Sequence, residues 1–413
     1  MGKETEGLGQ ALQLLHRCAT PDGFVAAATD KDNYHRIWGR DGVIIGLAAL
    51  LTEDAKLRST FLATLRTLKA HQGPHGEIPS NVNALTGDVS YGGTAGRVDA
   101  DLWFMIGCAE YWKITQDEQF LAEFLPHLER VRFLLGAWEF NARGLLYVPQ
   151  TGDWSDEYVQ HGYILYDQLL YLRALMGMRA LFHGAASVEH HGAFDQKIDR
   201  LRGLIQANYW FHDHCDIDES RAYHHTLYKR ACAIAEVRNQ HWLSFFSPTE
   251  YGYRFDALAN VLAGLLGVAT EEQCDMVDAY IAREVVNKDM LLLPAFHPVI
   301  NPGDDVWDQL QVAFRYSFKN KPYEFHNGGL WPFVTGFYVV DLARRGKTTL
   351  ARAYADAIHR ANALDVEGDG WGFYEYLHGK QYTPGGIRHQ GWSAAAAIMG
   401  HYAIEEHTFV LQP

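Results

Sequence analysis

The sequence predicts an all-α fold, a barrel of six helical hairpins in the (α/α)6 arrangement, on three observations. Apolar residues recur at spacings of three and four through about twelve segments, and no long stretch alternates at period two. The segments arrive in pairs whose partners are joined by short links that begin like helix caps. Between pairs the links are longer and rich in glycine, proline and aromatic residues. A ring closed by such pairs would gather those decorated links at one end.

In chain order, the first segment spans 4–17. Segments 42–51 and 57–70 meet across Leu51-Thr52-Glu53-Asp54, and 101–113 is followed by 118–135. Then come 163–182 and 194–208, an irregular middle, and 255–266 with 271–286, joined at Thr270-Glu271-Glu272. Segments 330–344, 348–363 and 389–401 complete the set. No long Ser-, Pro- or Gly-rich linker divides the chain and no repeat is strong enough for a solenoid, so residues 1–413 read as one catalytic domain.

Composition narrows the function class. With 36 Lys+Arg against 50 Asp+Glu the formal charge is -14, and no basic stripe is present to release counterions, which argues against a nucleic-acid partner. No apolar run is long enough for a membrane span, and the acidic start Met1-Gly2-Lys3-Glu4 leads into no apolar h-region. Five scattered cysteines without a C-x-x-C pair read as reduced thiols, so a cytoplasmic protein is expected. No phosphate-binding glycine motif occurs, and no cofactor is expected. The 21 histidines form no H-E-x-x-H; His212-Asp213-His214-Cys215-Asp216 is dense in ligand types but lacks a second segment, and no metal is expected. Eleven Trp and 22 Tyr suit a cleft that stacks sugar rings, so a small carbohydrate is the expected partner; a homo-oligomer is compatible with all of this.

The chemistry gathers in the long links. Thr151-Gly152-Asp153-Trp154-Ser155-Asp156-Glu157-Tyr158 sets three carboxylates among aromatic rings before a long apolar segment. Cleaving a glycoside takes one carboxyl that is protonated and one that is ionised. Asp156 is favoured as the general acid, with Asp153 beside it to bind sugar hydroxyls, although the reverse order stays open. A base should come from another link, and Glu375, flanked by Phe373, Tyr374 and Tyr376, is the best candidate. Glu324 is the fallback and Glu77 a weaker one. Trp38, Arg40 and Asp41 form a fork that could hold hydroxyls or clamp the fold. Asp99 and Asp101 flank a helix start, where carboxylates also serve as caps. Asp256 marks another such start. His326 and Asn327 precede a glycine pair, which suggests a backbone that approaches something closely. Trp103, Trp154, Trp307, Trp331, Trp371 and Trp392 are stacking candidates, several of which must belong to the core.

In this order the motifs resemble the neutral/alkaline invertase family of inverting (α/α)6-barrel glycoside hydrolases and, more distantly, glucosidase, trehalase and debranching-type enzymes. Gly96-Arg97-Val98 with Asp101-Leu102-Trp103 is similar to that family's “GRV…D-x-x-L-W-W”. Phe325-His326-Asn327-Gly328-Gly329-Leu330-Trp331-Pro332 is similar to its “YHNGGSWP”. Phe373 to Tyr376 with Gln390-Gly391-Trp392-Ser393 resembles its “PEYY…YQTW” end, His161-Gly162-Tyr163 its “HGH”, and Trp38-Gly39-Arg40-Asp41 its early “RD” element. The resemblance implies an aspartate acid at Asp156, a glutamate base at Glu375, inversion and no metal. It also implies sugar contacts from His161, Tyr374 and Gln390. At the acid the family carries “M-I-D-R-R”, whereas Glu157 and Tyr158 stand here in place of both arginines, which puts sucrose in doubt. Gly152-Asp153-Trp154-Ser155-Asp156 is closer to the “GDW-x-D” of helical-barrel phosphorylases and rhamnosidases. The expected function is therefore inverting hydrolysis of a small α-glucoside or related oligosaccharide. The alternatives are a sugar 2-epimerase using His326 and His389 as proton shuttles, and a binding protein that has lost its chemistry.

Overall fold

The computed structural model describes residues 3–140, 142–184, 191–212, 220–286, 289–314, 316–368 and 370–412. The helices are α1 (Lys3–Cys18), α2 (Gly39–Leu51), α3 (Ala55–Ala70), α4 (Val98–Thr115), α5 (Glu118–Trp138), α6 (Leu165–Gly184) and α7 (His191–Tyr209). They continue with α8 (His225–Cys232), α9 (Ala257–Leu265), α10 (Glu271–Tyr280), α11 (Trp307–Val312), α12 (Pro332–Arg344), α13 (Thr348–Asn362) and α14 (Gly391–Glu405). All twelve expected segments are helical. The two additional helices, α8 and α11, lie in the irregular stretches and are too short for a periodic signal to build up.

The helices sort into two rings by sequence character. In α2, α4, α9, α12 and α14 nearly every position is buried, because apolar or small residues run around the whole circumference. In α3 only Leu57, Thr60, Phe61, Thr64, Leu65 and Leu68 are buried, a single stripe at spacings of three and four. The fully apolar helices line the inside. α2, α4, α6, α9, α12 and α14 pack each against the next, and α14 closes on α2. The amphipathic α3, α5, α7, α10, α13 and α1 lie outside them, each against its own inner partner. The first helix thus pairs with the last, which places an outer helix at the start of the chain. Close approach within the inner ring depends on small residues: a Cβ on Gly336 of α12 would sit 2.6 Å from that of Ala396 on α14, and one on Gly177 of α6 would sit 2.6 Å from that of Ala109 on α4.

Caps set the hairpin turns. Asp54 accepts from the Leu57 amide at 3.0 Å, Asp117 from Gln119 and Phe120, and Thr270 forms a reciprocal capping box with Gln273. Helix α10 passes into a π turn at Ile281–Val285, so the helical run expected over 271–286 keeps its extent but changes pitch. At the other end, two-residue antiparallel strands tie the long links together. Ile37–Trp38 pairs with Asn81–Val82, which pairs with Val89–Ser90, and Phe255–Asp256 pairs with Phe296–His297. Cys18, Cys108 and Cys274 are buried free thiols and Cys232 is half-buried; Cys215 lies outside the described residues. Among the described residues, no helix is long and apolar enough to cross a membrane.

Candidate active site

The links that enter the inner helices enclose a cleft of about 630 Å³. Its lining includes Tyr34, Trp38, Arg40 and Asp41 around the start of α2, and Ser90, Gly92, Gly93, Thr94 and Arg97 before α4. Trp154, Asp156 and Glu157 come from the link before α6, and Lys319, His326 and Trp331 from the link before α12. Glu375 and Trp392 bracket the start of α14. Among the described residues, the link before α9 contributes nothing to this lining.

Each side chain is held by local structure. The strand pairing of Ile37–Trp38 fixes Trp38, whose Nε1 donates to the Asn33 carbonyl at 2.9 Å. Arg40, in the first turn of α2, donates from Nη1 to Asp99 Oδ2 at 2.7 Å and lies 3.8 Å from Asp41. Asp99 sits beneath it and also accepts from the Tyr166 hydroxyl at 3.2 Å. Burial raises Asp41 to about 6, against the pull of Arg40.

The 151–158 link turns twice. Thr151 adopts φ 67°, the Gly152 amide returns to the Pro149 carbonyl at 2.9 Å, and the Gly152 carbonyl accepts from Val98 at 2.8 Å. This fold sends the two aspartates in different directions. Asp153 is 1% exposed and accepts from Ser155 Oγ at 2.9 Å and from Gln160 Nε2 at 3.1 Å. Burial raises it to about 8, with Asp99 adding to the shift. Asp156 keeps 20% of its side chain exposed and forms an ion pair with Arg97. Burial pushes it upward, but Arg97, His326, Arg40 and Lys319 together hold it below the usual carboxylate range. Trp154, between them in the sequence, is stacked on Phe296 at 6.1 Å and edge-on to Trp331 and Phe333. Glu157 also faces the cleft, and burial raises it to about 8, with Asp156 pushing the same way and Lys319 opposing.

Glu375 enters from the opposite side of the ring. Its Oε1 accepts from the Tyr34 hydroxyl at 2.9 Å and its Oε2 from the Ile387 amide at 3.2 Å. Burial raises it to about 7 in spite of those two donors. Gly386 makes the arrangement possible: its φ is +70° and a Cβ there would lie 2.1 Å from Glu375 Oε2. His326 stacks on Trp331 at 5.4 Å, and burial lowers it to about 3, so its ring is neutral.

The structure therefore brings Trp38, Arg40, Asp41, Trp154, Asp156, His326, Trp331, Glu375 and Trp392 around one cavity. The other expected residues do not line it. Asp99, Asp101, Asp153 and Asp256 are buried; Asp101 accepts from the Ile78 amide at 2.7 Å, and Asp256 caps α9 through the Ala259 amide at 3.0 Å. Glu77 accepts from the His75 amide at 2.9 Å and borders a separate cavity with Asp101, Tyr91 and Trp138. His161 lies 3.6 Å from Glu250, beside Phe245. Asn327 pins its loop by donating to the carbonyls of Ile300 at 2.8 Å and Asn320 at 3.1 Å. Glu324 sits in the same turn, and Tyr374 and Gln390 are buried at the start of α14. His389 bonds to Thr29 at 2.9 Å and Arg17 at 3.2 Å, away from the cleft lining. Sequence reasoning did not single out Tyr34, Glu157 or Lys319 as site residues, and it quoted Arg97 only within a motif. Tyr34 lies in the same link as Trp38, a signal that was available; nothing around Lys319 marked it. Among the described residues no group of three or more His, Cys, Asp or Glu could hold a metal ion, and residues 213–216 lie outside that description.

Comparison with known proteins follows the same lines. Residues 10–407 match the family described as alkaline and neutral invertase. The chain is 25% identical over 444 residues to a probable alkaline/neutral invertase D of Arabidopsis thaliana, covering 95% of this chain and 80% of that protein. It is 25% identical over 451 residues to alkaline/neutral invertase C, mitochondrial, of the same plant, covering 95% of this chain and spanning 65% of that protein. Among solved structures, a wild-type glycosidase superposes with a TM-score of 0.65 at 13% identity, over 100% of this chain and 98% of that one, a likeness of fold. The chain belongs to the alkaline and neutral invertase family and is a glycoside hydrolase.

Proposed function

We propose that residues 1–413 form one catalytic domain that hydrolyses a small α-glucoside or related oligosaccharide with inversion, Asp156 acting as general acid and Glu375 as general base. The observation that carries this reading is that two carboxyl groups from distant links face one aromatic-walled cavity, each with its own donor, Arg97 and Tyr34. Inversion calls for carboxyls about 6.5–9.5 Å apart, with room for a water between Glu375 and the anomeric carbon. Asp156 gives its proton to the leaving oxygen while Glu375 takes one from the attacking water. Trp38 and Trp392 supply apolar faces for a sugar ring, and Arg40 with Asp41 supplies the polar fork. The buried aspartates Asp99, Asp101, Asp153 and Asp256 act from beneath, by holding those groups in place. Free buried cysteines support a cytoplasmic setting.

The electrostatics of the cleft's own residues run against the roles: Asp156 is held low and Glu375 is raised to about 7. Both forms coexist in a minor fraction of molecules at any pH, so the assignment asks the loaded cleft to raise Asp156. The relatives' names point to sucrose. Of the two residues that replace the family's arginines, Tyr158 packs on Phe296 at 4.2 Å and only Glu157 lines the cleft. A carboxyl in place of a guanidinium supports a leaving group other than the fructosyl unit of sucrose.

A panel of disaccharides and glycosides, followed by the glycosyl fluoride of the sugar that is cleaved, tests the roles. Fluoride leaves without protonation, so D156N should keep fluoride turnover while losing the glycoside by about 10²–10⁴-fold, and E375Q should lose both. The reverse pattern would exchange the two roles.

The epimerase alternative asks two histidines to meet in the cleft. His326 lines it and is neutral, while His389 is not part of the lining.

A further inference from the structure

We propose that Arg97 is a positioning residue that locks Asp156 in the unloaded cleft and is drawn off it by the arriving leaving-group sugar, so that the acid is loaded only in the complex. This rests on the reading of Asp156 as the acid.

The guanidinium is built to let go. Arg97 occupies the residue before α4, and its side chain is 9% exposed. Besides Asp156 it donates to the Thr151 carbonyl and, at 3.3 Å, to that of Gly96. When Asp156 is released, Nη1 keeps those two carbonyls as hydrogen-bond partners, while Nη2 is freed to meet a hydroxyl of the arriving sugar. The link that carries it doubles back tightly: Gly92 has φ +117°, and a Cβ there would lie 2.5 Å from the Gly96 carbonyl carbon. Ser90, Gly92, Gly93 and Thr94 of the same link form a wall of the cleft, where a sugar beyond the scissile bond would press on them.

The other charges facing Asp156 leave Arg97 as the group to remove. Arg40 comes from α2 and Lys319 from the link before α12, and both act at a distance; His326, from the same link as Lys319, is neutral above about pH 3 and adds no positive charge there. The carboxyls of Asp153, Glu157 and Asp41 act in the opposite sense, as does any negative charge on Tyr34. Arg97 alone among these cations is hydrogen-bonded to the Asp156 carboxylate in the described residues.

The protons balance. On binding, Asp156 takes one from solvent and later gives it to the leaving oxygen as the glycosidic C–O bond breaks. Glu375 takes one from the attacking water, whose oxygen bonds to the anomeric carbon, and returns it to solvent when product leaves.

The test is a pair of pH profiles, since kcat/KM reports groups in the free enzyme and kcat those in the complex. In the wild type the limb belonging to Asp156 should lie at least about one pH unit lower in kcat/KM than in kcat. R97Q should close that gap and R97K should keep part of it, with folding checked by circular dichroism and Tm. A wild type without the gap, or an R97Q variant that keeps it, would overturn the lock, and the wild-type comparison stands even if R97Q fails to fold. The D156N fluoride experiment runs alongside. If D156N still cleaves the glycoside, the underlying acid assignment has failed; if it behaves as an acid variant and the gap is missing, only the lock has failed.

Discussion

Two carboxylates three places apart in one link, on either side of Trp154 in the sequence, Asp153 and Asp156, meet opposite fates. Asp153 joins Asp99, Asp167 and Asp256 in a sealed floor where burial raises Asp153 to about 8, Asp256 to about 7 and Asp167 well above the usual range. Asp156 faces the cleft with Arg97, Arg40 and Lys319 nearby and is held low. Residue type and sequence neighbourhood are the same. What differs is the partner: Asp153 accepts from Ser155 and Gln160, whereas Asp156 pairs with Arg97.

The largest expected effect breaks the comparison at its catalytic side. D156N or E375Q should lower turnover of the glycoside by about 10²–10⁴-fold with little change in Tm, whereas D153N should keep most of the activity. Steady-state kinetics beside thermal melts would show it. In Trp154→Ala, emptying so large a buried site costs about 3–5 kcal/mol and should also cut activity, because His326 and Trp331 lose the ring against which they pack.

The next effect concerns pH. Carboxyls raised on folding favour the native state at low pH, and that advantage disappears as pH climbs from the unfolded value near 4 through the folded values of about 7 and 8. Stability should therefore fall between about pH 4 and pH 8, and D153N or D256N should flatten the fall. Asparagine also preserves the cap that Asp256 gives α9. Denaturant midpoints across that range measure it, and an unchanged slope in both variants would mean the floor aspartates are not the source. The smallest effect is E157Q. Below about pH 7 the carboxyl is already neutral and the variant should stay within about tenfold of wild type in kcat/KM; above pH 8, where an ionised Glu157 raises Asp156 and helps to keep it protonated, the variant should fall below wild type.

The ring was legible in the sequence because its cause is one-dimensional. Fully apolar stretches such as Ala257–Leu265 and striped ones such as Ala55–Ala70 alternate, and burial sorts them into inside and outside. The pooling of long links at one end follows from that alternation, and with it the meeting of Asp156 and Glu375 around one cavity. The side on which each carboxyl falls was not legible. Asp99 and Asp101 sit in the first turn of α4, as Asp41 does in α2, yet only Asp41 reaches the cleft lining. A helix start shows the rise along its axis in sequence, but its rotation is set by packing against neighbouring helices, which are far away in the chain. Arg97 escaped for the same reason: its partner lies 59 positions away, on a link whose fold depends on Gly152 meeting Val98.

The most direct test of the account is the anomeric form of the first product, followed by proton NMR as a glycoside is cleaved. The Asp156 and Glu375 pair predicts the inverted anomer, β-sugar from an α-glycoside, appearing before mutarotation. A product released with retained configuration, or a sugar epimerised at C2 without cleavage, would contradict it.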